Sequence, residues 1–258
     1  MELLKPNYID TVTSIIVNNN SSTVENILNP DLTYQFVSSG MNDDTTTTTM
    51  RIAFSETTLV SRIAIAGINL KKFNLYYDAA TANTFALTST GATITSRWIT
   101  NSESAMYLQC TGVYCTSVSL DMYSTQVANS EKAIGYFVLS TERLNFTRIP
   151  AAKNYTPLRN AKEVIHSLSD GRTRIQTVSD MWSFDIKLEY IDETMRNSLR
   201  TIYDLHAPHI FVPFGTTTAW DGIISPVVWQ SPFTFYKVSD NAVSAGFEGS
   251  MKLMETTP

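Results

Sequence analysis

The chain has 258 residues, too many for one small core and about right for two modest domains. Hydrophobic residues make up 43% and charged residues only 17%, so Ser and Thr, at 60 positions, supply most of the polar surface. That balance disfavours long exposed helices, which lean on Lys, Glu and Arg, and suits strands and turns. With 24 acids against 19 bases the formal charge is −5, which argues against a protein that wraps nucleic acid.

The start, Met1-Glu2-Leu3-Leu4-Lys5-Pro6, lacks an apolar core of signal-peptide length. The apolar stretch 59–70 is broken by Arg62, so no membrane insertion is expected. Cys110 and Cys115 are too few for a disulfide framework. These features predict a soluble chain that is not exported by the usual signal.

In chain order, residues 1–23 form an Asn- and Ser-rich N-terminal segment with one strand-like run, Ile15-Ile16-Val17. Period-two alternation follows at Met50, Ile52 and Phe54, at Ile63 and Ile65, and at Phe73, Leu75 and Tyr77. It returns at Leu108 and Cys110, and at Val118, Leu120 and Met122. Alternation of this kind marks half-buried strands with one wet face. Ser38-Ser39-Gly40, Thr90-Gly91 and Thr111-Gly112 read as turns between them. No convincing amphipathic helix precedes residue 140, so residues 24–140 are expected to form a β-sandwich.

Residues 141–180 change character. Pro150, Pro157 and the bases Arg143, Arg148, Lys153, Arg159 and Lys162 predict a basic, Pro-containing arm or linker. A clean strand then runs over 182–190, with Trp182, Phe184, Ile186, Leu188 and Tyr190 on one face. A helix is expected over 192–206, capped by Asp192, with Met195, Leu199, Ile202 and Tyr203 on its apolar face and Pro208 ending it. Strands at 210–214 and 227–229, and a last one carrying Phe247, Met251 and Leu253, make residues 181–258 a β-rich domain with one packed helix.

Chemistry-bearing motifs are sparse. His206 and His209 stand near Asp204, but Pro208 lies between them and no third ligand is suitably spaced. They read better as residues complementing a helix C-terminus, and His166 stands alone. Gly-x-Ser-x-Gly, His-Glu-x-x-His, phosphate-loop and Cys-x-x-Cys patterns are absent. No catalytic, cofactor-binding or metal-binding residue is therefore assigned, no cofactor is expected, and the chain is not read as an enzyme. Cys110 and Cys115 bracket Thr111-Gly112, so they face each other across a hairpin as a disulfide or sit reduced in a core. The missing export signal favours the second. Trp98, Trp220 and Trp229 are candidates for stacking on sugar rings, though large aromatics more often fill sandwich cores. Asn145-Phe146-Thr147 and Asn154-Tyr155-Thr156 match glycosylation sequons, which matter only on export.

Residues 26–30, 50–54, 59–70 and 73–77, with 118–123 and 133–139, resemble the discoidin (coagulation factor 5/8 type C) jelly roll. The segment Ile134-Gly135-Tyr136-Phe137-Val138-Leu139, the basic arm, Leu168-Ser169-Asp170-Gly171-Arg172, the 182–190 strand with its helix, the 210–214 run and Trp220-Asp221 together resemble tail components of bacteriophages and prophages. In those proteins a discoidin-like domain is joined to one similar to distal-tail and tail-tube proteins. Tyr136 stands where that pattern usually has Glu, which puts any contact of that Glu in doubt. The resemblance implies a non-enzymatic structural component of a tail (distal tail, baseplate or collar ring), made in the host cytoplasm and located in the virion. It would pair with itself in a ring, six-fold by the same resemblance, and with other tail proteins. The alternative is a carbohydrate-binding module or adhesin that holds glycans.

Overall fold

The computed structural model describes residues 1–11, 14–39, 44–88, 94–146, 155–167, 173–213, 224–238 and 246–256. Its strands are β1 (Glu2–Leu4), β2 (Ser14–Val17), β3 (Phe36–Val37), β4 (Thr48–Ala66), β5 (Leu70–Tyr77), β6 (Ala86–Leu87), β7 (Ile94–Thr95), β8 (Arg97–Trp98) and β9 (Ala105–Thr125). They continue with β10 (Ala133–Ile134), β11 (Tyr136–Ser140), β12 (Glu142–Asn145), β13 (Tyr155–Ser167) and β14 (Thr173–Ile191). Helix α1 (Glu193–Asp204) precedes β15 (His209–Val212), β16 (Ser225–Trp229), β17 (Thr234–Lys237) and β18 (Phe247–Glu255). The expected fold class is the observed one, mainly β. The chain divides into two compact units, Glu2–Arg143 with Val212–Ile224, and Met1 with Leu144–Phe211 and Ser225–Pro258.

The first unit is organised by one long antiparallel pair. β4 and β9 run together from Thr48 opposite Met122 to Ala66 opposite Ala105, with the register broken between Ala53 and Thr58. On one side of the break β2 adds to β4, β5 to β9 and β8 to β5. On the other side β11 adds to β4, and β6 meets β9 at Cys110. Met50, Ile52, Leu75, Leu120 and Met122 from the first half share a single core with Val60, Ile63, Leu108, Phe137 and Leu139 from the second. The two halves are thus the two leaves of a sandwich. Full burial of such side chains contributes on the order of 1.5–3 kcal/mol each. Short 3-10 turns at Tyr8–Thr11 and Ser21–Leu28 add Ile9, Val24 and Ile27 to this core.

Two expectations are corrected here. Thr111-Gly112 is not a turn, because β9 passes straight through it. A Cβ on Gly112 would lie 3.0 Å from Leu59 Cδ1, so the glycine serves a close side-chain approach. Cys110 and Cys115 consequently belong to one strand rather than facing each other across a hairpin. A register shift between Val60 and Arg62 resets the alternation, and both thiols end up free and buried in the core. Ser38 and Ser39 do leave β3, while Gly40, Thr90 and Gly91 lie outside the described residues.

In the second unit β13, β14 and β18 pair side by side, β16 and β17 also pair with β18, and β15 pairs with β16. The anticipated linker is largely strand: Tyr155 to Ser167 pairs with Ile186 to Thr173. Pro157 is tolerated because β13 pairs with β14 alone among the described strands, leaving an edge where no donor is needed. Arg159 lies over the Trp182 ring at 5.8 Å. Arg148, Pro150, Lys153 and residues 168–172 lie outside the described residues, as do the side chains of Lys162 and His166.

Phe184, Ile186 and Leu188 of β14 are buried as the alternation predicts, but Tyr190 is exposed, with a left-handed φ of 55°. The register shifts between Leu188 and Ile191, and Ile191 takes the inward place instead. A Cβ on Gly246 would approach Tyr190 Cα to 2.9 Å, so only glycine fits beside this bulge. Helix α1 starts where expected, with Asp192 Oδ1 accepting from the Met195 amide at 2.7 Å. Met195, Leu199 and Ile202 are buried. Tyr203 is half-buried and packs edge-on to Trp229 at 5.5 Å. No helix among the described residues is long and apolar enough to cross a membrane.

Leu199→Ala should cost about 2–5 kcal/mol in a denaturant melt, as a core truncation that leaves a cavity under α1. Burial pushes the Cys110 and Cys115 thiols up to about 12. Thiols that ionise more easily unfolded than folded favour the folded state fully below the unfolded pKa, and that contribution is lost as pH rises through the folded value. Stability should therefore fall between about pH 8.5 and 12, and a Cys110→Ala, Cys115→Ala double variant should show a shallower decline.

Candidate functional site

Among the described residues of the first unit, three polar constellations differ in what they leave open. The most buried centres on Glu2. Its Oε2 accepts from Arg62 Nε at 2.8 Å and from the Tyr107 hydroxyl at 2.7 Å, and its Oε1 accepts from Gln109 Nε2 at 2.7 Å. Arg62 also pairs with Glu142. Burial and the neighbouring Glu2 carboxylate hold the Tyr107 phenol protonated far above its ordinary range. Every Glu2 oxygen has a donor and the residue is 2% exposed, so this is a clamp rather than a site.

The second lies on the outer face of β4, β9 and β5. Asp121 accepts from Thr49 Oγ1 at 2.7 Å, the Tyr76 hydroxyl at 3.1 Å and the Tyr123 hydroxyl at 3.4 Å. Burial, then the Asp121 charge, raises the Tyr76 and Tyr123 phenols. This network satisfies itself.

The third is open. A groove of about 410 Å³ runs where the β4–β9 register breaks, lined by Lys5, Tyr8, residues 54–59 and Tyr114. Its floor follows from the strands. Ser55, Glu56 and Thr57 fall in the stretch between Ala53 and Thr58 where β4 has no partner on β9, so their side chains are exposed. The Thr58 hydroxyl donates to the Glu56 carbonyl at 3.1 Å, which tightens this bulge. Tyr114 stands opposite Leu59 and is 69% exposed, one residue from the buried Cys115.

The other wall is pinned to β11. Asn7, fully buried, donates from Nδ2 to the Phe137 carbonyl at 3.1 Å, and its Oδ1 accepts from the Leu139 amide at 3.1 Å. The Lys5 amide donates to the Thr141 carbonyl at 3.1 Å, and Ser140 Oγ donates to the Lys5 carbonyl at 2.9 Å. Lys5 and Tyr8 are therefore presented from a fixed backbone. Burial raises the Tyr8 phenol, partly offset by the nearby Arg143 charge. The assembled groove offers an aromatic face, hydroxyls, one carboxylate and one ammonium: a surface for a polar, ring-shaped ligand.

Trp98 and Trp229, two of the tryptophans singled out from the sequence, are elsewhere. Trp98 stacks on Phe73 at 4.5 Å, while Trp229 packs among Tyr203, Phe233 and Phe235 and donates from Nε1 to Ser231 Oγ at 3.0 Å. Trp220 and Asp221 lie outside the described residues, as do Thr147 and Asn154 of the sequons. His206 is exposed at the end of α1 and His209 is buried in β15. The groove residues were not singled out. Their signal is the polar run Ser55-Glu56-Thr57-Thr58, which interrupts the alternation after Phe54. A second opening in the other unit, about 280 Å³ beside Asp185, Lys187 and Lys252, has no aromatic lining.

No family model matches the chain and no curated protein does so. Among solved structures it is similar to chitosan-binding module 1 of the Paenibacillus sp. IK-5 chitosanase/glucanase, at TM-score 0.37 and 7% identity, over 51% of this chain and 97% of that one. Chitosan-binding module 2 of the same enzyme, in complex with chitotriose, matches at TM-score 0.39 and 8% identity, over 52% and 99%. A pectin-binding carbohydrate-binding module matches at TM-score 0.35 and 16% identity, over 50% and 91%. Nothing in these comparisons supports the resemblance to phage tail components.

Tyr114→Ala should leave stability within about 0.5 kcal/mol, since the ring makes little of the core. A thermal melt checks this, and sets the variant up as a clean probe of binding.

Proposed function

We propose that this chain binds carbohydrate, without catalysing a reaction on it, through the groove at Tyr114. The observation that supports this most directly is a largely exposed tyrosine fixed on a paired strand beside a row of hydroxyls and a carboxylate. A sugar ring has one face of C–H bonds and a rim of hydroxyls. The aromatic face takes the first by stacking. Ser55, Thr57, Thr58 and Glu56 accept from, or donate to, the second. Tyr114 stands on a strand paired at Leu59, and the Lys5 backbone is tied to Ser140 and Thr141, so little conformational entropy is lost there on binding. The tail-assembly reading suggested by the sequence is set aside in favour of its carbohydrate-binding alternative.

Screening the protein on immobilised cell-wall and host oligosaccharides, followed by calorimetry on the hits, tests the reading. Tyr114→Ala should weaken any hit by about tenfold, equivalent to about 1.4 kcal/mol. Absence of binding to every saccharide, or hits indifferent to Tyr114→Ala, would sink it.

A further inference from the structure

Resting on the carbohydrate reading, we infer that the groove selects acidic sugars, with Lys5 taking the carboxylate of a uronic acid residue. The chain as a whole is acidic, at −5, so a general attraction to anions is not expected. The charges at this groove are arranged otherwise. Lys5 lines it, half-buried, and among the described residues no carboxylate pairs with its ammonium. Arg143 of β12 lies near enough to Tyr8 for its charge to act on that phenol, and its Nε is buried without a hydrogen-bond partner. The Lys5 ammonium in the groove and the Arg143 charge felt at Tyr8 thus give this part of the groove a positive bias. An ammonium that lines a groove without a protein carboxylate beside it is available to an anionic group of a ligand.

Glu56 is the one acid among the groove's lining residues, and it comes from β4 rather than from the N-terminal segment that carries Lys5. This polarity orients a saccharide. The carboxylate end faces Lys5 in the field of Arg143, the hydroxyl rim faces Glu56 and its threonines, and the ring lies on Tyr114. The carboxylate–ammonium contact is charge-assisted and partly shielded from solvent, so it should remain sensitive to salt without vanishing.

Oligogalacturonate is the suitable probe, because its methyl ester is a neutral twin of the same shape. Calorimetry with the full chain should show the acid bound at least tenfold more tightly than the ester, and weakening as salt rises to about 0.5 M. Lys5→Met keeps the aliphatic stem and should weaken the acid form about tenfold more than the ester, removing most of that preference. Glu56→Gln should tighten the acid form by lifting a repulsion. Equal binding of acid and ester, or Lys5→Met weakening both alike, would overturn the acidic-sugar inference. The carbohydrate reading would survive that result if Tyr114→Ala still weakened the binding by about tenfold. If neither form bound and every neutral glycan failed as well, both readings would fall together.

Discussion

The pairing of β4 with β9 is the constraint from which the first unit follows. Two strands of 19 and 21 residues cannot stay in one flat sheet, because strand twist accumulates along them. The interruption between Ala53 and Thr58 lets one ribbon serve two leaves, each recruiting its own neighbours. A core forms because inward residues on both sides of the bend meet. The cost of the bend is a short stretch of β4 without a partner on β9. Those backbone groups must be satisfied by solvent or by local bonds, as in the Thr58 contact to the Glu56 carbonyl. The groove is the outer consequence of the same break that builds the core.

The N-terminal segment depends on that ribbon in turn. Glu2 is buried only because Arg62 on β4 and Tyr107 and Gln109 on β9 supply three donors. Replacing it with an apolar residue would leave Arg62 with Glu142 as its one carboxylate partner among the described residues, and buried ion pairs tolerate loss of one partner poorly. Asn7 performs the equivalent task with neutral groups, bridging the Phe137 carbonyl and the Leu139 amide. Between these two anchors lies Lys5, and just beyond them Tyr8. Their placement is thus inherited from side chains far away in sequence.

This explains what the sequence discloses and what it conceals. Strands such as Val118 to Met122 are legible because one buried face imposes period two on local residues. Helix α1 is legible because capping by Asp192 and the spacing of Met195, Leu199 and Ile202 are local too. The hairpin misassigned at Thr111-Gly112 fails for the opposite reason: glycine marks close approach of Leu59, a residue from another strand, as readily as it marks a turn. The arm at 155–167 was hidden by Pro157 and its bases, which suit an edge strand as well as a linker. The groove was hidden most completely. Its walls come from residues 5–8, 54–59 and 114, which become neighbours only through the β4–β9 register and the Asn7 contacts.

On one sheet face of the first unit, uncharged polar side chains find their partners within a single copy. Uncharged polar strands would suit pairing with a neighbouring subunit, and that thought favours an assembly. Yet on the outer face of β4, β9 and β5 the hydroxyls already have partners. Thr49, Tyr76 and Tyr123 donate to Asp121, Asn74 donates to the Tyr123 hydroxyl at 3.2 Å, and Arg51 donates to Ser117 Oγ at 3.4 Å. Ser117 and Ser119 are almost wholly buried beneath these longer side chains. A face that has closed its own hydrogen bonds offers little to a second chain, because any new contact must first break an existing one. At the groove the polar groups are left open instead. Ser55, Glu56 and Thr57 are exposed, and Tyr114 projects beside them from a strand whose next residue is core. The contrast between a self-satisfied sheet face and an open bend supports the proposal that the groove, rather than the sheet face, meets the ligand.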